Sequence, residues 1–316
     1  MKVCYFIQSH KDPEQICRLV RVIKQLSPDA EVLISHDFST SYLDMTLLSD
    51  LSNISLIRRE RAAIRGTFSL LEVYLDAVDW LFEHNSEFDW LVYLSGQDYP
   101  IQSLAEVEKF LAQTEYDGFM QYFNVLSPEC SWGANRSYRR YFCQYYHLPT
   151  WTRPFLQKIS KIQDFTPVRF HWNVSSGVMA GLRVKSVPFN EKFVCYGGWC
   201  WVTLSRKCVQ FVRDYLREHP KLLKYYKRTI CPEESLLQTV LINSGKFNIC
   251  NDDKRYCYFP PQLNGFAKVL TAEDYPTLVD SDFHFARKVD PNQDKTILNM
   301  LDTKLLQNGS LDKSST

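Results

Sequence analysis

An apolar run at residues 90–94, WLVYL, is followed at once by a short polar cluster. The run is typical of a buried strand, and the cluster offers a hydroxyl, a flexible glycine, an amide and a carboxylate. These groups belong to Ser95, Gly96, Gln97 and Asp98. Because glycine has no side chain, Gly96 lets the backbone approach a bound ligand closely. The cluster therefore predicts a polar binding site at the end of a buried strand.

Two adjacent carboxylates, Glu233 and Glu234, follow a proline in the segment CPEES. A proline is preset for the first turn of a helix, and acids there complement the positive end of the helix dipole. A carboxylate held at the mouth of a cleft can instead take a proton from an attacking hydroxyl group. The residues alone leave both interpretations open, one structural and one catalytic.

Basic side chains near the C-terminus offer positive charge for an anionic ligand. Arg287 and Lys288 follow an apolar pair in FHFARKVD, and Lys268 lies in GFAKVLT. They form either a solvated charge cluster or a set of cations that faces a diphosphate leaving group. The run at 58–61, RRER, is predicted to be an exposed face, and the sequence leaves the role of Arg65 open.

Several function classes are excluded by the sequence. It contains no His-x-x-x-His motif and no glycine-rich phosphate loop, which argues against a zinc hydrolase and a P-loop protein. Asp252 and Asp253 are adjacent and would diverge on a strand, so we expect surface residues there and no metal site. A net charge of +1 argues against nucleic acid as a partner. The ten cysteines form no CxxC pair, which predicts free thiols in a reducing compartment.

Strands and helices alternate over the first part of the chain. Apolar runs predict strands at 2–7, 30–37, 54–59 and 89–96, and helical periodicity predicts helices at 12–26 and 66–84. This alternation is typical of a doubly wound α/β fold, which binds ligands where its strands end. Further helices are predicted at 204–220 and 231–244, and a polar, partly disordered tail at 291–316.

The order of these segments resembles the core-2/I-branching β-1,6-N-acetylglucosaminyltransferase family, glycosyltransferase family 14, which includes peptide xylosyltransferases. LSGQDYPI and FARKVD are the most specific segments, and the resemblance covers about residues 2–290. It implies a GT-A-like, Rossmann-like α/β fold, with a mixed sheet flanked by helices in a single catalytic domain over 1–290. Residues 1–120 would form the nucleotide-binding half and 121–290 the acceptor and catalytic half.

The resemblance also implies roles for individual residues. Glu234 matches the catalytic base, Asp37 the acid that meets the nucleoside, and Asp98 the acid near the donor sugar. Lys288, with Arg287 and less closely Lys268, matches the basic residues that face the diphosphate. Further substrate contacts are expected from Ser95, Gly96, Gln97, Trp199, Trp201 and Glu233. Acceptor contacts are expected separately, from aromatic and basic residues that the resemblance does not align, and each of these fits a packing role equally well: Trp132, Arg139, Arg140, Trp172, Trp199 and Trp201.

The resemblance implies an inverting transferase that needs no metal and no cofactor besides its UDP-sugar donor. We expect N-acetylglucosamine, and next xylose, to be moved to a hydroxyl of a glycan or glycoconjugate. The alternatives are a non-catalytic sugar-binding protein and a metal-dependent transferase that uses Asp252 and Asp253. The chain starts at its first strand and contains no apolar run of membrane-spanning length, so a compact, bacterial-type, cytoplasmic enzyme is expected. A peripheral membrane contact stays open.

Overall fold

The computed structural model describes residues 1–160, 166–173, 177–263 and 265–312. The strands are β1 (Val3–Ser9), β2 (Glu31–Asp37), β3 (Ile54–Arg59), β4 (Trp90–Ser95), β5 (Asp98–Pro100), β6 (Gly118–Phe119), β7 (Phe123–Asn124), β8 (Cys143–Leu148), β9 (Val168–Asn173), β10 (Gly177–Arg183), β11 (Tyr196–Gly197), β12 (Thr203–Ser205), β13 (Ile249–Cys250), β14 (Arg255–Cys257) and β15 (Phe285–Arg287). The helices are α1 (Pro13–Leu26), α2 (Phe68–Glu83), α3 (Leu104–Gln113), α4 (Ala134–Tyr141), α5 (Arg153–Ile159), α6 (Arg206–Glu218), α7 (Pro220–Tyr226), α8 (Leu236–Ser244), α9 (Tyr275–Val279) and α10 (Thr296–Asp312). Short 3-10 turns occupy Met45–Leu48, Thr150–Thr152, Pro232–Glu234, Pro261–Leu263 and Ala272–Asp274.

The central sheet has the strand order β13-β6-β12-β4-β1-β2-β3. β1 pairs in parallel with β2 and β4, and β2 pairs in parallel with β3. β12 runs antiparallel to both of its neighbours, β4 and β6, which makes the sheet mixed. The carboxyl ends of β1, β2, β3 and β4 therefore lie along one edge, where ligands of such sheets bind.

Helices cover both faces of this sheet. Tyr5 and Ile7 of β1 pack in an apolar layer with α1, α3 and α10, whereas Phe6 packs in a second layer with α2, α6 and α8. Burial on both faces explains why the strands read as nearly continuous apolar runs in the sequence. The predicted architecture, a mixed α/β sheet flanked by helices, is confirmed.

Three smaller sheets complete the described fold. One has the order β14-β15-β5, and in it Arg287 lies opposite Asp98. The others are β8-β10-β9 and the pair β11-β7. The β14-β15-β5 sheet attaches the C-terminal basic segment to the polar cluster after β4. Beside it, the N–H of Val289 donates to the carbonyl of Gln97 at 2.9 Å.

The C-terminal segment differs from its prediction as a polar tail. Residues 296–312 form α10, and four of its apolar side chains are buried in the core: Ile297, Leu298, Leu301 and Leu305. Arg18 of α1 donates to the carboxylate of Asp302 at 2.6 and 3.0 Å. These side chains pack in the same apolar layer as α1, and the polar residues between them made the segment read as a tail. Residues 313–316 lie outside the described residues.

No described helix combines the length and apolar composition that a membrane span requires. The ten cysteines are free thiols, and most of them are buried. One predicted helix also begins later than expected, because residues 232–234 form a 3-10 turn and α8 starts at Leu236.

Candidate active site

A cavity of about 490 Å³ opens where β1, β2 and β4 end. Its wall also includes the loop before α2, the 3-10 turn at Pro232–Glu234 and the end of β15. The predicted site residues in its lining are Asp37, Ser95, Gly96, Gln97, Trp199, Trp201, Glu233, Glu234, Arg287 and Lys288. Residues that are far apart in the sequence thus meet at the edge of the sheet where a ligand was expected.

Asp37 lines this cavity, and its two carboxylate oxygens differ in their hydrogen bonds. The backbone N–H and the hydroxyl of Ser39 donate to Asp37 Oδ1 at 2.9 and 2.5 Å. Within the described ranges, Oδ2 has no hydrogen-bond partner, although the side chain as a whole is buried. The carboxylate is therefore oriented, and its second oxygen can accept hydrogen bonds from a ligand.

Asp98 does not line the cavity, contrary to the expectation that it contacts the donor sugar. It is fully buried, and its Oδ2 accepts a hydrogen bond of 2.6 Å from the backbone N–H of Ser95. The guanidinium groups of Arg255 and Arg287 lie 3.6 and 3.5 Å from its two oxygens. Its charge thus balances two buried cations, because buried charges need partners.

The packing around position 96 requires glycine there, independently of any ligand. A Cβ atom at this position would come within 3.3 Å of Ile16 and of Ser9. Glycine therefore allows the chain that leaves β4 to pass close to α1 and β1, and Gly96 also lines the cavity.

The two lysines that were expected at the diphosphate, Lys288 and Lys268, differ in their position and in whether a carboxylate binds them. Lys288 lines the cavity, and burial lowers its pKa, as do the charges of Arg287 and Arg65. It has no carboxylate partner among the described residues. Lys268 lies outside the lining, and its ammonium donates to both carboxylate oxygens of Asp274 at 2.7 and 2.9 Å. The diphosphate role expected for Lys268 is therefore unsupported, because its charge is already paired.

The turn that carries the two glutamates is fixed to the loop before α2. Cys231 has a left-handed backbone, φ 52°, and its N–H donates to the carbonyl of Gly66 at 3.1 Å. The side chain of Glu233 is buried, and its Oε2 has no hydrogen-bond partner. Burial, and next the charge of Glu234, raise the pKa of Glu233 to about 8. At neutral pH Glu233 is therefore mostly protonated and can donate a hydrogen bond.

Glu234 is held differently from its neighbour. Arg140 Nη1 donates to Glu234 Oε2 at 2.7 Å, and the two side chains are only 11% and 14% exposed. The Arg140 guanidinium also lies over the Trp132 ring, 4.6 Å from its centre. Glu234 is thus an oriented carboxylate on the cavity wall and can accept a proton from a bound hydroxyl group.

Aromatic rings form part of the cavity wall. Trp199 stacks on Phe259 with ring centres 4.6 Å apart, and Trp201 lies 4.0 Å from the guanidinium of Arg287. The acceptor candidates Trp132, Arg139, Arg140 and Trp172 are absent from the lining among the described residues. Arg140 reaches the site only through Glu234.

Among the described residues, one group of side chains could hold a metal ion. Cys231, Glu233 and Glu234 have ligand atoms within 4.8 Å of one another, but Arg140 already places a positive charge on Glu234. Asp252 and Asp253 lie outside the cavity lining. Asp252 pairs with Lys254 at 2.9 Å, and Asp253 is a buried acid whose pKa burial raises to about 6. The aspartate pair is therefore poorly placed for chemistry in the cavity.

Three further cations in the lining were missed or misjudged from the sequence. Arg59 was expected on an exposed face but lines the cavity, and Asp76 pairs with it at 2.5 Å. Lys11 follows β1 and pairs with Asp290 at 3.2 Å. Arg65 also lines the cavity. Each of them lies at the end of a strand or just before a helix, at the ligand-binding edge of the sheet.

Comparison with known proteins identifies the family of this chain. The family model for the Core-2/I-branching enzyme matches residues 3–259. The chain is 28% identical to the xylosyltransferase oxt of Drosophila melanogaster over 73% of its own length and 23% of that protein. It is 23% identical to the beta-glucuronosyltransferase GlcAT14B of Arabidopsis thaliana over 91% of its own length and 59% of that protein. It therefore spans less than two thirds of these relatives.

Among solved structures, the galactosyltransferase LgtC aligns over 98% of this chain and 96% of its own, with a TM-score of 0.42 and 11% identity. A similarity this low supports no inference about the site. The family model covers most of the chain and includes the strand ends and both glutamates. The chain therefore belongs to the Core-2/I-branching enzyme family of glycosyltransferases.

Proposed function

We propose that this protein is an inverting glycosyltransferase that moves a sugar from a uridine diphosphate donor to a hydroxyl group of a glycan or glycoconjugate. The observation that carries the proposal is that Glu234, Asp37 and Lys288 line one cavity. They supply a base, an acceptor of hydrogen bonds from the nucleoside, and a cation for the diphosphate.

The donor would lie along the strand ends. The second oxygen of Asp37 would accept hydrogen bonds from the nucleoside, and Lys288 and Arg287 would face the diphosphate. Charge interactions strengthen in a cavity that excludes water, so both cations would stabilise the negative charge that develops on the leaving group. This fixed charge would take the place of a divalent metal.

Transfer then needs one base. The acceptor oxygen attacks the anomeric carbon and its proton passes to Glu234, while the bond between that carbon and the diphosphate oxygen breaks with its electrons on the UDP. Attack from the face opposite the leaving group inverts the anomeric configuration. The buried, protonated Glu233 would donate a hydrogen bond within the site.

The donor sugar, the acceptor and the cytoplasmic location stay predictions. The sequence favours N-acetylglucosamine and then xylose, and the names of the relatives add glucuronic acid. The acceptor hydroxyl would enter beside Glu234, near the rings of Trp199 and Trp201.

The test is the variant Glu234→Gln. We expect turnover with UDP-sugars to fall by about two or more orders of magnitude, as for loss of a general base. Calorimetry should show that UDP affinity is nearly unchanged, which also reports correct folding. Unchanged turnover would rule out Glu234 as the base.

Two further measurements separate the alternatives. Wild-type protein should remain active in excess chelator, whereas loss of activity that returns with a divalent cation would favour a metal-dependent transferase. A wild type that binds UDP but transfers no sugar from any UDP donor would be a binding protein.

A further inference from the structure

The small sheet β8-β10-β9 has two unlike faces. Residues that lie opposite each other in paired antiparallel strands share a face. On the inner face, Cys143, Tyr145 and Met179 are buried together with Ile230, which lies just before the turn that carries Glu234. The alternating positions form the outer face, and apart from Gln144 their side chains are apolar or aromatic: Tyr146, Leu148, Val168, Phe170, Trp172, Val178, Ala180 and Leu182.

Part of this apolar surface is left in solvent. On the outer face, Leu182 and Tyr146 are 50% and 47% exposed. The 3-10 turn at Thr150–Thr152 contacts β10 and leads directly into α5, and here Trp151 and Phe155 are 79% and 64% exposed. We call these four side chains the apolar patch. Single exposed apolar residues are ordinary on a protein surface, whereas several large ones on adjoining elements mark an interaction surface.

The apolar patch lies in a basic part of the chain. Residues 143–185 contain six lysines and arginines and one acid, whereas the whole chain has 37 basic and 36 acidic residues. Arg153 and Lys158 flank Phe155 on α5, and both are exposed. Arg228 donates to the hydroxyl of Tyr146 at 2.7 Å and lies over its ring. The patch therefore combines large apolar side chains with an excess of positive charge.

This combination matches the surface of an anionic membrane. Tryptophan and tyrosine rings favour the boundary between lipid headgroups and acyl chains, and lysine and arginine are attracted to anionic headgroups. A second copy of this chain fits less well, because a symmetric dimer would place one basic face against an identical one. The sugar cavity does not use these side chains, since none of the four lines it.

We propose that the apolar patch docks this protein onto a membrane of anionic phospholipids, with Trp151 and Phe155 inserted among the headgroups. The cations of residues 143–185 then face the negative charge of the lipid. The inference goes beyond the proposed function and does not depend on it, because it concerns a surface outside the cavity.

The experiment is sedimentation with two kinds of vesicle: phosphatidylcholine alone, and equal parts of phosphatidylcholine and phosphatidylglycerol. We expect wild-type protein to bind the anionic vesicles about tenfold or more tightly than the neutral ones. Arg153→Gln with Lys158→Gln should weaken binding to the anionic vesicles by roughly 25-fold, because each cation near such a surface contributes about fivefold. Trp151→Ala with Phe155→Ala should weaken it by about tenfold or more, because both rings lose their contact with lipid. All four side chains are exposed, so urea unfolding of both double variants should match that of the wild type.

The controls change exposed side chains elsewhere. Leu47→Ala shortens an apolar residue of the 3-10 turn at Met45–Leu48, and Lys109→Gln with Lys221→Gln removes two charges. The first should bind anionic vesicles like the wild type, and the second should lose less affinity than the variant of Arg153 and Lys158.

Three results would overturn the proposal. The first is a wild type that does not bind the anionic vesicles, or patch variants that bind them no more weakly than the controls do. The second is a wild type that is dimeric in ultracentrifugation and becomes monomeric with Trp151→Ala and Phe155→Ala, because the patch would then join two copies. The third is binding to soluble heparin without binding to vesicles, which would make the patch a glycan-binding surface.

Discussion

Glu233→Gln should make the protein more stable at neutral pH, although it alters a buried residue next to the proposed base. Glu233 is 5% exposed and its Oε2 has no hydrogen-bond partner. Glutamine has nearly the same shape and carries no charge at any pH. The variant therefore removes the free-energy cost of keeping this side chain protonated in the fold at a pH where the unfolded chain has released the proton.

The magnitude follows from the pKa of Glu233, which burial and the charge of Glu234 raise from 4.5 to about 8. Below pH 4.5 the side chain is protonated in both the folded and the unfolded chain, so its full contribution to stability is present. Between pH 4.5 and 8 the unfolded chain releases the proton first, and the free energy of unfolding falls as pH rises. One pKa unit corresponds to about 1.4 kcal/mol, so the loss reaches roughly 3 kcal/mol at pH 7.

Urea denaturation of both proteins at several pH values measures this effect. The free energy of unfolding of Glu233→Gln, relative to wild type, should rise by about 3 kcal/mol between pH 4.5 and 7. Glu218→Gln removes an exposed glutamate of α6 and controls for the change in net charge. A difference that stays constant over this pH range would refute the reasoning, because Glu233 would then ionise as readily in the folded as in the unfolded protein.

Three other variants test which charged side chains contact the donor and which are paired within the protein. Lys288→Ala should weaken UDP more than uridine in calorimetry, and equal losses would mean that the lysine does not touch phosphate. Lys268→Ala should leave both affinities nearly unchanged because Asp274 already binds its ammonium, and a selective loss of UDP would restore its predicted role. Asp98→Asn should lower the free energy of unfolding in urea by about 3–5 kcal/mol, because Arg255 loses its buried counter-charge. A loss below about 1 kcal/mol would contradict that pairing.

Much of the fold and part of the site follow from the sequence. Apolar runs at 30–37 and 89–96 predicted β2 and β4 closely, because buried parallel strands leave a nearly continuous apolar pattern. The run at 54–59 also matches β3, although this edge strand is only partly buried. Parallel strands end at a common edge, where a ligand-binding site was predicted, and Asp37 and Ser95 end two of these strands. Both line the cavity.

The partners of the charged residues did not follow from the sequence. Arg140 and Glu234 are 94 residues apart, and only the folded chain brings them to 2.7 Å. Lys268 forms an ion pair with Asp274 instead of facing the cavity, and Asp98 is buried beside Arg255 and Arg287. A sequence shows which charged residues exist. Which of them form ion pairs depends on the directions of their side chains in the fold, and neither the hydrophobic periodicity nor the spacing of residues in the sequence gives these directions. This is why the positions of these elements were predicted better than the charges that face the cavity.

The small sheet β14-β15-β5 sets a limit on how this protein can be shortened. Its middle strand, Phe285–Arg287, lies near the end of the sequence and leads directly into Lys288. The family match stops earlier, at residue 259. A fragment cut at that boundary would keep the strand-end carboxylates and both glutamates, yet it would expose the edge of β5 and leave Asp98 without Arg287. Expression boundaries for this protein should therefore be set beyond α10 rather than at the limit of the family match.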